Sequence, residues 1–378
     1  MRIYLDHNAT TPIRSRVADA MSRVLREEFG NPSSVYAEGA AARARVETAR
    51  SQLATLLGTE PNSIRFTGGA TEANNTLLFG LLEPGDHVVT SAVEHPSISE
   101  PLSLLEGRGV SVSRIPPDVD GCVEAQSIAA AITDRTKLVS VIWANNETGS
   151  IQPIEAIAAA CRERGVLFHT DATQAVGKTA IDLSAVPADF LSSSAHKLGG
   201  PKGVGALVAR DNGMLPAFLH GGGQERGLRG GTENVAGIVG YGVACELAIA
   251  ERADREESCG KLRDRLWAGI QSCVEDVHWN GAPGSVLTNT LNVEFVGVAG
   301  EVLVQALDLE GVAVSAGAAC HSGSIEPSKV LTAMGRTPEQ ARGSLRLSVG
   351  FGVDEEQIDR VIRLLAELVP RVRSVEAP

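Results

Sequence analysis

Apolar residues recur at helical spacing from Arg14 to Glu28 and again from Gly39 to Leu57, where the run closes on Gly58, the residue type that commonly ends a helix. Short runs rich in β-branched residues follow at Ser63 to Thr67, His87 to Thr90, Lys137 to Ile142, Val166 to His169, Phe190 to Ser192 and Val204 to Ala209. Helical stretches separate several of them: Glu72 to Leu81, Ser127 to Ile132 and Ile154 to Glu163. Alternation of strand and helix predicts an α/β domain with a mostly parallel central sheet flanked by helices. After about Ala236 the pattern changes to charged amphipathic helices, through Lys261 to Cys273, with strands at Val286 to Glu294 and Ser344 to Val349 and a last helix from Asp354 to about Val372. That shift predicts a smaller α+β C-terminal domain beyond a boundary near residue 255.

A chain of 378 residues is long for one core, which agrees with two domains. Its net charge of -12 and 4% aromatic content argue against nucleic acid, which demands clustered cations and stacking platforms. The start, MRIYLDHNATTP, has no apolar run of signal-peptide length, and no later stretch stays apolar long enough to span a bilayer. The expectation is a cytoplasmic protein away from membranes. Six cysteines, at 122, 161, 245, 259, 273 and 320, stand far apart with no CxxC pair, so neither a metal cluster nor a disulfide framework is indicated. Five have the apolar or helical context of small buried hydrophobes; Cys320 alone lies in loop-like sequence.

Ile64-Arg-Phe-Thr-Gly-Gly-Ala-Thr-Glu-Ala-Asn-Asn reads as strand, glycine turn and helix, with Ala70 and Thr71 at the helix start. Unpaired amides and the helix dipole there favour a phosphate, although a glycine turn with Thr71 as an ordinary N-cap accounts equally well for this segment alone. Two similar strings are decoys. Gly177-Lys178-Thr179 ends like a nucleotide-binding loop, but Ala172 stands where the first glycine belongs and Asp171 would repel phosphate. The glycine run Gly221 to Gly227 lacks a preceding strand and an acidic ribose partner. Asp171 lies just past an apolar strand, where open sheets hold ligands, and an acid there needs a cationic partner. Lys197, in Ser-Ser-Ser-Ala-His-Lys-Leu-Gly-Gly, again ends a strand amid small residues; desolvation would make it a Schiff-base former, whereas in isolation it reads as a surface lysine. Phosphate cup, carboxylate and lysine are together what pyridoxal phosphate requires.

The chain resembles the class V aminotransferase group of pyridoxal phosphate enzymes, and within it the cysteine desulfurases of nitrogen fixation and iron-sulfur cluster assembly. Matching motifs run almost end to end: Tyr4-Leu-Asp-His-Asn-Ala-Thr-Thr-Pro, Phe29-Gly-Asn-Pro-Ser-Ser, Gly69-Ala-Thr-Glu-Ala-Asn-Asn, Glu94-His-Pro, Asn145-Asn-Glu-Thr-Gly, Asp171-Ala-Thr-Gln, Ser194-Ala-His-Lys, Gly230-Gly-Thr-Glu-Asn and Ser344-Leu-Arg-Leu-Ser. The resemblance implies an aspartate-aminotransferase-like fold type I, with a large cofactor-binding domain over 14–255 and a small domain made of 1–13 with 256–378. It implies that Lys197 holds pyridoxal 5'-phosphate as a Schiff base, that Asp171 pairs with the pyridinium nitrogen, and that Gln174 contacts the phenolic oxygen. His95 would stack on the ring and help move protons. Ala70, Thr71, Ser194 and His196 would hold the phosphate, joined by Thr232 from the second subunit of a homodimer. Asn146 would lie beside cofactor and substrate, and Arg346 would clamp the substrate carboxylate, the geometry arginine serves best. Read without the family, His95 could cap a turn, Asn146 could bind only backbone, and Arg346 could face outward from a half-buried strand.

Ser315-Ala-Gly-Ala-Ala-Cys-His-Ser-Gly-Ser is small, polar and poorly patterned, as a loop joining the strand around Val312 to a helix starting near Pro327 would be. The resemblance makes Cys320 the thiolate that takes sulfur from L-cysteine, leaving alanine, and passes it as a persulfide to a sulfur acceptor or iron-sulfur scaffold protein. Serine and threonine are common where this chain has Ala318 and His321, and asparagine is common where it has His7. The Ala-Ala-Cys-His-Ser string also resembles selenocysteine lyases, which is the alternative on the same scaffold. An ordinary aminotransferase would not need Cys320, and a protein that only tethers a scaffold would need none of Lys197, Asp171 and Cys320.

Overall fold

The computed structural model describes residues 2–211, 217–316 and 327–376. The central sheet has the strand order Ile64–Thr67, Gly205–Ala209, Phe190–Ser194, Leu167–Asp171, Thr136–Ser140, His87–Ser91, Ser111–Ile115. Gly205–Ala209 runs antiparallel to both neighbours, and every other pair is parallel. Ile64–Thr67, His87–Ser91, Phe190–Ser194 and Gly205–Ala209 are buried at every residue, which is why they read as apolar or small runs without alternation. The expected mostly parallel α/β sheet is present, with two elements added. Helix Pro96–Glu106 carries prolines at its first position and inside, signals that ordinarily mark a break. The edge strand Ser111–Ile115 is largely polar and nowhere fully buried, so it lacks the apolar signature.

A second, antiparallel sheet follows the order Ser315–Ala316, Ser344–Ser348, Thr290–Phe295, Val277–Trp279. Its third strand starts at Thr290 rather than Val286, because the Thr290 amide turns back to the Leu287 carbonyl at 3.1 Å and Val286 bridges to Ser150 instead. Ile3–Tyr4 pairs in parallel with Val312–Ala313 and carries Ile3 and Leu5 into the core beneath this sheet. The helix expected from Lys261 begins far earlier: Val235–Cys273 is one helix of 39 residues, capped by the Asn234 side chain. Its first part, through Ala248, packs into the core of the seven-stranded sheet; its last part, from Cys259, packs into the second core with helices Gly300–Leu309 and Glu355–Glu376. Cys161, Cys245 and Cys259 are buried as expected, Cys122 half so; Cys273 is exposed because the last helical turn leaves it at the rim. No helix among the described residues is long and apolar enough to cross a membrane.

One buried ion pair fixes the glycine-turn end of the sheet. Arg50 donates to both Glu225 oxygens at 2.8 and 2.9 Å, and the Phe66 amide adds a third bond to Glu225. Glu225 and its neighbour Arg226 sit at φ 45° and 61°, a left-handed conformation costing about 1–3 kcal/mol per non-glycine residue. Removing one partner of so buried a pair would cost about 3–5 kcal/mol, enough to hold both residues there.

Candidate active site

The carboxyl ends of the parallel strands open into a cavity of about 810 Å³, within the range of roughly 300–1,000 Å³ typical of small-molecule sites. Its walls hold Ala70, Thr71, His95, Asn146, Asp171, Gln174, Ser194, His196, Lys197 and Arg346. Ten of the residues expected from the sequence thus converge on one space. Thr232 is exposed in the bend before the long helix and does not line this cavity. Cys320 lies outside the described residues, as do Ala318 and His321; Ser315, just before that segment, is in the wall.

The glycine turn is a cup built by close approach. Gly69 adopts φ 154° and ψ 174°, a region open essentially to glycine alone, and caps helix Ala70–Leu81. Across from it, a Cβ on Gly205 would meet the Gly69 Cα at 2.6 Å, so that strand must also be bare. Amides of the first helical turn have no partner within the helix and face an anion with favourable dipole. Glu72 in that turn is neutralised by Arg229 at 2.9 Å. Ser194, His196 and Lys202 complete this end of the cavity. Burial and the cations Lys197, Lys202 and Lys178 push His196 down to about 4, leaving its imidazole neutral.

Asp171 ends its strand fully enclosed, accepting from the Thr173 amide at 3.0 Å and the Asn74 side chain at 2.8 Å, and among the described residues it makes no ion pair. A buried carboxylate held by amides and lacking a cation is a receptor for a protonated ring nitrogen. Asn74 also donates to Ser97 Oγ at 2.8 Å, and Ser97 Oγ lies 2.8 Å from His95 Nδ1. His95 Nδ1 accepts from the Ser97 amide as well, so its proton sits on Nε2; burial lowers its pKa and keeps it neutral. The histidine does cap a helix, and it also lines the cavity.

Lys197 follows strand Phe190–Ser194 on a short 3₁₀ turn. Its Nζ donates to the carbonyls of Asn8 at 2.6 Å and Ala9 at 2.7 Å. Burial, reinforced by Arg346, pushes its pKa down to about 8, so a useful fraction is a free amine near neutrality. Arg346 points inward from strand Ser344–Ser348: it donates to Asp6 at 2.6 Å and to the Asn146 carbonyl at 3.0 Å, and its buried Nε has no partner among the described residues.

Residues the sequence reading gave no role also serve the site: Asp6, Asn8, Ser97 and Lys202 line it, and Asn74 and Lys178 bond from behind to the lining residues Asp171 and Gln174. Asn8 is a junction. Its carbonyl accepts from Lys197 and from Gln174 Nε2 at 2.8 Å, while its side chain joins Lys178, Asn289, Thr290 and the Asn146 carbonyl. No local periodicity marks such a residue; the available signal is its place in the Tyr4 to Pro12 motif.

Residues 3–361 match the family model for Aminotransferase class-V. The chain belongs to that family. Class-V aminotransferases depend on pyridoxal phosphate, and the donor set here fits it: amides for a phosphate, a cation-free carboxylate for a ring nitrogen, and an amine of lowered basicity for an aldehyde. Among similar proteins is the cysteine desulfurase IscS of Methanosarcina thermophila, 43% identical over 99% of this chain and 93% of that protein. IscS of Proteus mirabilis is 44% identical over 99% and 94%. Among solved structures, a NifS-like protein superposes with a TM-score of 0.92 at 35% identity, covering 98% of this chain and all of that one. SspA in complex with cysteine gives 0.83 at 36%, covering 92% and 99%.

Proposed function

We propose that this chain is a pyridoxal phosphate-dependent cysteine desulfurase that converts L-cysteine to L-alanine and supplies sulfur for iron-sulfur cluster assembly. The observation that carries the reading is the meeting of Lys197, Asp171 and the Gly69 cup in one cavity, in a chain so similar along its length to cysteine desulfurases. When bound, the cofactor serves as an electron sink for the bond-breaking at the substrate Cα. Lys197 anchors it; Ala70, Thr71, Ser194 and His196 take the phosphate; Asp171 holds the ring nitrogen charged; Gln174 donates to the phenolic oxygen; His95 covers the ring. Thr232, exposed on the single chain, contributes to the phosphate site of the partner subunit in a homodimer.

The Arg346 guanidinium binds the substrate carboxylate, and Asn146 lies alongside. Lys197, as a free amine, moves the Cα proton. Cys320 Sγ attacks the substrate sulfur: the new S–S bond forms as the Cβ–S bond breaks, and Cβ then takes a proton to give alanine. The persulfide goes to an acceptor or scaffold protein in the cytoplasm. The division into 14–255 and 1–13 with 256–378 belongs to the same reading, with the cysteine segment carried by the smaller part.

The test is alanine and sulfide release from cysteine by the purified holoenzyme with a thiol reductant, beside Cys320→Ala. Equimolar products, lost in the variant while the cofactor band remains, are expected. Turnover indifferent to Cys320, or restricted to selenocysteine, would refute the proposal.

A further inference from the structure

Lys178, in the string dismissed as a nucleotide-binding decoy, places a second lysine amine behind the cavity wall. Its Nζ donates to Gln174 Oε1 at 2.6 Å and to Asn8 Oδ1 at 2.9 Å, both neutral acceptors. The groups acting on it electrostatically are Lys197, Arg255 and Arg346, all cationic, and the Cys259 thiol. Among the described residues it makes no salt bridge. An enclosed cation among cations is costly, and burial with these neighbours drives its pKa far down. Such a residue contributes little to stability, so a purely structural role is a poor account of it.

Its geometry has a definite effect on Gln174. The Asn8 carbonyl can only accept, so the Gln174 amide nitrogen must face it at 2.8 Å, and the amide oxygen is then turned to the Lys178 amine, which donates to it at 2.6 Å. The reverse orientation would set the Gln174 carbonyl against the Asn8 carbonyl. One N–H of Gln174 is spent on Asn8, and the other is left for the cavity that Gln174 lines. The hydrogen bond from Lys178 into Oε1 also polarises the amide, making that N–H a stronger donor.

We propose that Lys178 is a positioning residue that locks the Gln174 amide with its N–H toward the cavity and strengthens its donation to an anionic oxygen of the bound cofactor. This rests on the cofactor-binding reading above. A strong donor near the phenolic oxygen favours its anionic form, so weakening that donor makes protonation easier and moves the titration of the bound cofactor to higher pH.

The experiment compares wild-type holoenzyme with Lys178→Met, Lys178→Arg, Gln174→Leu and the double variant Lys178→Met/Gln174→Leu. The readouts are the pH midpoint of the visible cofactor band, the cofactor dissociation constant and the Tm of the cofactor-free chain. In Lys178→Met the midpoint rises by about 1 pH unit and cofactor binding weakens by about fivefold, while the cofactor-free Tm holds or rises. Lys178→Arg, keeping N–H donors toward Gln174 and Asn8, recovers most of the midpoint. On the Gln174→Leu background, Lys178→Met adds much less than it does alone. A Lys178→Met midpoint equal to wild type, or a fallen Tm with an unmoved band, overturns the proposal. If wild type itself forms no cofactor band, the functional reading falls and takes this one with it.

Discussion

The two sides of the cavity carry opposite charges in different states of completion. On the sheet side, Asp171 is held by amides and makes no ion pair among the described residues. On the side of the second sheet, Arg346 is already paired with Asp6. The first side is one positive charge short, a state that favours a resident cationic ring; the second is near balance, so an incoming carboxylate must share or displace a partner, which suits a substrate that arrives and leaves. Burial decides the difference: a lone carboxylate is strongly selective for a cation, whereas a guanidinium already bonded to Asp6 and the Asn146 carbonyl takes a second anion only by sharing or releasing a partner.

That contrast can be broken at its hinge. Lys197→Ala should remove the covalent cofactor band and lower turnover by about 10³-fold or more, measured by alanine release. Asp171→Asn keeps the size but not the charge, and should lower kcat by about 10²–10³-fold with an altered band. Arg346→Lys, which exchanges a fork for a point charge, should raise the cysteine KM by about 10- to 100-fold while the resting band stays as in wild type. If Arg346→Lys disturbed the band and Asp171→Asn spared it, the assignment of the two sides would be reversed.

Smaller effects follow from the lowered pKa of Lys197. Loading of the cofactor-free chain requires the neutral amine, so its rate should climb about tenfold per pH unit below about 8 and level off above it. The stability of the cofactor-free chain has the matching sign. Below about 8 both folded and unfolded lysine are protonated and the folded state bears the whole cost; between about 8 and 10.5 the unfolded state binds more protons, so stability rises with pH. Lys197→Met should therefore stabilise the cofactor-free chain at pH 7 and lose most of that advantage by pH 10.5, as chemical denaturation would read.

Legibility in the sequence followed the distance over which a residue acts. Strands buried on both faces announced themselves as apolar runs, and the Gly69 cup was visible because strand, glycine and helix are contiguous. Ser111–Ile115 was silent because an edge strand need not be apolar, and Pro96–Glu106 because prolines hid it. Asn74 and Asn8 show the limit for the site. Each works through bonds to residues far along the chain, Asn74 to Asp171 and Asn8 to Lys178, Lys197 and Asn289, and no local pattern encodes that. Arg346 alternates like a surface residue, yet the face it points to belongs to the cavity.

The helix Val235–Cys273, at 1.5 Å per residue about 58 Å long, works as a beam common to both cores. Bending one core against the other at this point would break helical hydrogen bonds in series, so movement around a substrate is confined to the segments that cross beside the beam. A cut near residue 255 would leave each fragment with half a helix and an uncovered apolar stripe, so the two parts are expected to melt in a single transition and to fail when expressed apart.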